Sequence, residues 1–131
     1  MEALQSWLKA FPLWEGRSLG VDSPNLQPDH CTLFPLGEQE LSRKEDVVGK
    51  VRIRYRKEFV LRRVLPAGET GSQWMEAFSQ WAKTMAPPPL GQDTILRTRE
   101  GRLKRLQSGG LATYEIKISM EYTEEWNNGE N

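Results

Sequence analysis

The stretch VVGKVRIRYRKEFVLRRV, residues 47–64, decides the fold. Its odd positions Val51, Ile53, Tyr55, Phe59 and Leu61 are apolar, while its even positions Lys50, Arg52, Arg54, Arg56 and Arg62 are cationic. A period of two puts these sets on opposite faces of a β-strand, so the segment lies on a core by its odd face and shows a basic even face. The pattern returns near the C-terminus. There Tyr114, Ile116, Ile118, Met120 and Tyr122 alternate with Thr113, Glu115, Lys117, Ser119 and Glu121.

Outward from these two strands the chain changes period. After residue 64, Pro66-Ala-Gly-Glu-Thr-Gly71 breaks the strand, and Ser72 is placed to cap a helix carrying Trp74, Phe78, Trp81, Ala82 and Met85 on one stripe. Pro87–Pro89 ends that helix. Upstream, Glu38–Arg43 reads as a strand joined to the basic one through a turn over Lys44–Asp46. Residues 102–107 and 112–123, joined by Ser108-Gly109-Gly110, read as a closing hairpin. At the N-terminus Leu4, Trp7, Leu8 and Phe11 form one stripe of a short helix that Pro12 stops. Between residues 14 and 35, glycines and prolines surround two short apolar pieces, 19–21 and 31–34, which read as edge strands. The expected fold is therefore α+β: an antiparallel sheet with a long central strand and hairpins, packed on one face by the Trp-rich helix with the short N-terminal helix beside it.

Length adds a constraint. Thirteen residues from Lys50 to Arg62 span roughly 43 Å at about 3.3 Å each, whereas a compact domain of this size is about 36 Å across. The strand either bends, for example at a bulge near Lys57 where the alternation lapses, or projects as an arm.

A chain of 131 residues is of single-domain size, so 1–131 reads as one domain with a frayed tail at 127–131. Its 18 basic and 18 acidic residues cancel, which leaves no global field to draw it to nucleic acid or an anionic membrane. A single cysteine, Cys31, allows no internal disulfide and fits a reducing compartment. The N-terminus has neither the cationic start nor the apolar run of a secretory signal, and no stretch approaches the roughly 20 apolar residues of a membrane span. Five tryptophans are a large supply of apolar area for the core, with some to spare for an interface.

Catalytic chemistry finds little to work with. His30 and Cys31 are the only residues of their kinds, and as neighbours in extended chain they point to opposite faces, which disfavours a nucleophile–base pair. Two such residues fall short of the four ligands of a structural zinc site. Gly68-Glu-Thr-Gly71-Ser72 could present helix amides to an anion, but it lacks the spacing and lysine of a phosphate loop and reads as a strand-to-helix connection. No cofactor or metal is expected. A small enzyme is a remote alternative.

The basic face of Arg52, Arg54 and Arg56 has three readings: charges paired across the sheet with Glu115 and Glu121, a subunit interface built from the same five residues, or nucleic-acid contact. The absence of interleaved aromatics speaks against the third.

The pattern Leu4-x-x-Trp7-Leu8-x-x-Phe11-Pro12-x-Trp14-Glu15-Gly16, the block Leu33-Phe34-Pro35-x-Gly37 running on to Gly49, and the pieces Gly101-Arg102-Leu103-Lys104 and Gly110-Leu-Ala-Thr-Tyr114-Glu-Ile together resemble the minor capsid or minor tail proteins encoded in the head-to-tail gene cluster of siphophages and prophages of Gram-positive hosts. The order of elements is similar, more distantly, to that of lambda-type tail terminators. The resemblance implies a structural protein with no catalytic residues. It would form a homohexameric ring that caps the tail tube and offers a docking face to the head connector. Its partners would be itself, the tail-tube protein and the connector, with genomic DNA only as cargo in the lumen and no membrane. It would reside in the tail or neck of the virion after synthesis in the host cytoplasm. The alternative within the same cluster is another neck protein, a head-closure or tail-completion component.

Overall fold

The computed structural model describes residues 2–15, 19–21, 31–99, 101–106 and 108–127, apart from the side chains of residues 69, 102–104 and 108. The elements run α1 (Glu2–Lys9), a 3-10 turn (Pro12–Trp14), β1 (Leu19–Val21), β2 (Cys31–Glu45), β3 (Lys50–Pro66), α2 (Glu69–Thr84), β4 (Gln92–Thr98), β5 (Arg102–Leu106), a second 3-10 turn (Ser108–Gly110) and β6 (Leu111–Asn127). One sheet holds the strands in the order β1-β2-β3-β6-β4, and β5 follows β4 along the same side of β6. The fold is α+β, as the alternation and the aromatic helix require.

The centre of the sheet is the pair β3–β6, antiparallel in unbroken register from Lys50↔Asn127 to Pro66↔Leu111. Each strand has 17 residues, a length of about 56 Å. β3 carries no bulge at Lys57. The extra residues fall on its other neighbour, β2, whose register against β3 shifts between Pro35 and Gly37 and again between Glu40 and Ser42. Bulges sharpen the local twist, and the bulge at Leu36 lets Pro35 stay within one strand that the sequence divides into two pieces. The turn accordingly comes later than expected, after Glu45 rather than over residues 44–46. One pair departs from the antiparallel expectation, since β1 runs parallel to β2 over three rows, Leu19↔Cys31 to Val21↔Leu33.

The odd face of β3 and the even face of β6 meet the helices. Phe59, Leu61, Leu65, Ala112, Tyr114, Ile116, Ile118 and Met120 join Leu4, Trp7, Leu8, Phe11, Trp14, Trp74, Met75 and Phe78 in one buried cluster. Aromatic rings join the N-terminal segment to α2: Trp7 of α1 lies 4.6 Å from Trp81 and Phe11, just past α1, meets Phe78 edge-on at 5.4 Å, while within α2 Trp74 stacks on Phe78 at 5.8 Å. The buried indoles also find acceptors, Trp7 Nε1 donating to the Ala86 carbonyl at 2.7 Å and Trp74 Nε1 to that of Leu13 at 3.3 Å. Arg63 interrupts the apolar face; only 2% exposed, it lays its guanidinium 4.3 Å over the Trp74 ring.

Helix α2 starts three residues before the expected cap. Gly68 holds the N-cap position at φ 104, and Ser72 lies in the first turn, its amide bonded to the Gly68 carbonyl. The reason is Tyr114. Its hydroxyl accepts the Gly68 amide at 3.1 Å, and its ring fills the space beside Gly71, where a Cβ would stand 2.3 Å from the ring carbons. The glycines of this segment serve close packing of helix on sheet. Strand β4 is an element the sequence reading passed over.

The helix-covered cluster reaches only as far as Phe59 and Met120. Beyond it β2, β3 and β6 continue together to the turn at residues 46–49, with β4 beside β6 as far as Thr123 and with Val51, Ile53 and Tyr122 buried on the inner face; this blade is about 26 Å long over the eight residues 50–57 of β3. The excess length of β3 is taken up by this extension, in which no bulge interrupts its register with β6.

Candidate assembly surface

The sheet face away from the helices combines the even residues of β3 with the odd residues of β6, and its rows are set by the unbroken register of the two strands. Charge pairs fill them. Arg52 Nε donates to Glu125 Oε2 at 2.7 Å, and Lys50 Nζ lies 2.6 Å from the other oxygen of the same carboxylate. Arg54 Nη1 donates to the Thr123 hydroxyl at 3.0 Å and to the Asp93 carbonyl at 2.9 Å. Arg56 and Arg97 flank Glu121 at 3.8 and 3.7 Å. Glu58 pairs with Lys117 at 2.6 Å, and Arg62 with Glu115 at 2.6 Å while its guanidinium covers the Phe34 ring at 4.6 Å.

The five residues singled out from sequence thus share one face, with cross-strand partners that partly differ from those expected. Glu121 faces Arg56, but Glu115 serves Arg62, and Arg52 takes Glu125. Pairing by Glu58, Arg97, Lys117 and Glu125 was not foreseen, because it depends on the β3–β6 and β4–β6 registers, which no local turn fixes. The hydrogen bonds from Lys50 and then Arg52 hold the Glu125 carboxyl below its ordinary 4.5, and that from Lys117 does the same for Glu58. Arg52 is raised in return, chiefly by its bond to Glu125. On the opposite face of the blade, burial raises the Tyr122 hydroxyl, and its ring lies 5.7 Å from that of Tyr55.

The apex of the blade is a stapled turn. Asp46 Oδ1 accepts the amides of Val48 and Lys50, both at 3.0 Å, the Gly49 amide bonds the Asp46 carbonyl, and Gly49 takes φ 84. That is the geometry of a tight turn closed by a left-handed glycine, with an aspartate side chain standing in for main-chain acceptors. Val47 and Val48 are exposed at its tip.

Several clefts border the sheet. One of about 470 Å³ lies between α2 and the β4–β5 side, lined by Met75, Glu76, Ser79, Lys83, Thr98 and Gly101. A second, about 480 Å³, is of mixed character, with Leu13, Leu65 and Trp74 beside Glu15, Arg63 and Gln73. The third, about 410 Å³, is the outer groove of Arg56, Glu58, Arg97, Arg99, Lys117 and Glu121. Among the described residues no three of His, Cys, Asp and Glu gather as metal ligands. Cys31 is buried on the helix side of β2, where a thiol is inert; its neighbour His30 lies outside the described residues. No described helix is long and apolar enough to cross a membrane. No protein-family model and no curated protein matches this chain.

Proposed function

We propose that this chain is a structural component of the phage head–tail junction, a tail terminator that acts by assembly rather than catalysis. In this reading its copies form a ring, a hexamer by the resemblance of its sequence, which seats on the last ring of tail-tube protein. That stops further tube subunits from adding and presents a new face to the head connector. Genomic DNA passes through the lumen as cargo, and the protein resides in the tail or neck of the virion.

The observation that carries the reading is the blade. Strands β2, β3 and β6 continue well past the helix-covered cluster, and their outer face is a lattice of cross-strand charge pairs bordering an open groove. The blade's inner face buries Val51, Ile53 and Tyr122, but β2 along it is largely exposed, and a subunit that must reach its neighbours has use for such a surface.

The test is to measure the mass of the purified protein by native mass spectrometry and to image it in negative stain, alone and with the tail-tube protein encoded beside it. Rings of defined mass that cap the tube and block its further growth are the expected result. A chain that stays monomeric at high concentration in the presence of tube protein would remove the terminator reading.

A further inference from the structure

We propose that copies of this chain join edge to edge, with β2 of one copy adding to β4 of the next to form an antiparallel pair. This deepens the ring reading above and rests on it for closure of the assembly; the contact itself is read from the strands.

The first observation is height. Among the described residues β1 covers β2 only from Cys31 to Leu33, so the edge from residue 34 onward carries no partner strand. Following the rows across the sheet, Gly37 leads through Glu58 and Ser119 to Arg97, Glu38 through Lys57 and Met120 to Leu96, and Gln39 through Arg56 and Glu121 to Ile95. The open part of β2 and the outer edge of β4 therefore lie on the same rows, at opposite sides of one sheet. Both windows are regular. Residues 37–40 lie between the two bulges of β2, and residues 95–98 follow the irregularity of β4.

The second observation is direction. Each neighbour in β2-β3-β6-β4 runs antiparallel to the last, so β4 of one copy opposes β2 of an equivalently oriented second copy. Added strands gain main-chain hydrogen bonds in this sense. A level, head-to-tail contact is heterologous and closes into a ring when its rotation permits.

The third is charge. The β2 window presents Glu38 and Glu40, exposed and on the helix side of the sheet. Beside the β4 edge, Lys83 of α2 borders Leu96 and Thr98 on that same side, while exposed Arg97 and Arg99 stand on the other face. Charged, bulged edges discourage indiscriminate pairing. Glu38 and Glu40 also meet Lys57 at 3.9 Å and Arg43 at 2.9 Å within their own copy, and on the helix side they are of opposite sign to Lys83, so these unlike edges attract. An apolar side chain stands at each, Leu36 at 55% and Ile95 at 43% exposure.

Two variants test this, Glu38→Lys/Glu40→Lys and Lys83→Glu; Arg97 and Arg99 are spared because they lie on the other face with Glu121 and Glu58. Circular dichroism checks that each is folded, and Glu38→Gln/Glu40→Gln provides a milder change on the same edge. Self-association is measured by sedimentation velocity beside the unaltered chain, with and without tail-tube protein. Each reversed variant alone is expected to associate on the order of 100-fold more weakly, the neutral variant to fall between, and an equimolar mixture of the two reversed variants to recover assembly, because every contact then joins opposite charges. Rings that form equally well from each reversed variant, or a mixture that fails to recover, overturn the edge contact and leave the ring reading standing. An unaltered chain that never associates overturns both.

Discussion

Arg52 Nε lies 2.7 Å from Glu125 Oε2, joining neighbouring strands through residues 73 positions apart in the chain. Lys50 shares the same carboxylate, so one glutamate, its side chain only 15% exposed, clasps the far end of the blade. Reversal of Arg52 to glutamate sets two carboxylates face to face. Hydrogen exchange should quicken at residues 50–57 and 121–127 while amides of the helix-covered core keep their protection. Uniform loss of protection across the sheet would argue against a local clasp.

The blade should also loosen in acid. Glu58 and Glu125 both titrate below their ordinary 4.5 in the folded chain. For a depressed carboxylate the stabilisation is fully present above the unfolded value and is lost as pH falls through the folded one. The melting temperature should hold from pH 7 to about 5 and decline below about 4.5. In Glu58→Gln/Glu125→Gln that decline should be shallower; an identical pH profile would assign it to other groups.

Gly71 exists to admit the Tyr114 ring. Gly71→Ala forces a methyl into ring carbons at 2.3 Å and should destabilise the fold by roughly 1–3 kcal/mol, the usual cost of overpacking. Chemical denaturation would measure it. In a Tyr114→Leu background the same change should cost distinctly less, because the two residues share one space.

At the apex, Asp46→Ala removes the acceptor for two main-chain amides and should cost about 1 kcal/mol. Asp46→Asn keeps an oxygen in place and should retain most of that stability. Equal losses in the two variants would assign the role of Asp46 to charge rather than to its hydrogen bonds.

In the core, Phe78 is fully buried and touches Trp7, Phe11, Trp74 and Trp81. Phe78→Ala should cost about 3–5 kcal/mol, observed as a large shift of the denaturation midpoint.

Much of the fold was legible because its two longest strands and its aromatic helix repeat strictly. Val51 to Leu61, save at Lys57, and Tyr114 to Tyr122 alternate, and Trp74, Phe78 and Ala82 share one helical stripe. Strand β4 escaped because only Thr94, Ile95 and Leu96 carry strand character within it, and Asp93 at its start takes φ 51. Its edge position depends on β6 offering a free side, which no local pattern announces. The start of α2 was misjudged for a similar reason: Ser72 is a good cap by type, but Tyr114 draws the turn back to Gly68.

The assembly surface divides along the same line. That Arg52, Arg54 and Arg56 share a face with Glu115 and Glu121 follows from the period-two rule alone, because the direction of a side chain in a strand depends only on its parity. Which carboxylate each cation meets depends on register between strands more than 50 residues apart, and a slip of one residue would reassign every pair. The sequence by itself therefore determined the strands, the helices and the faces, which are properties of neighbouring residues. Only the tertiary structure decided the partners, the blade and the height of the two open edges, because these depend on where distant segments pack.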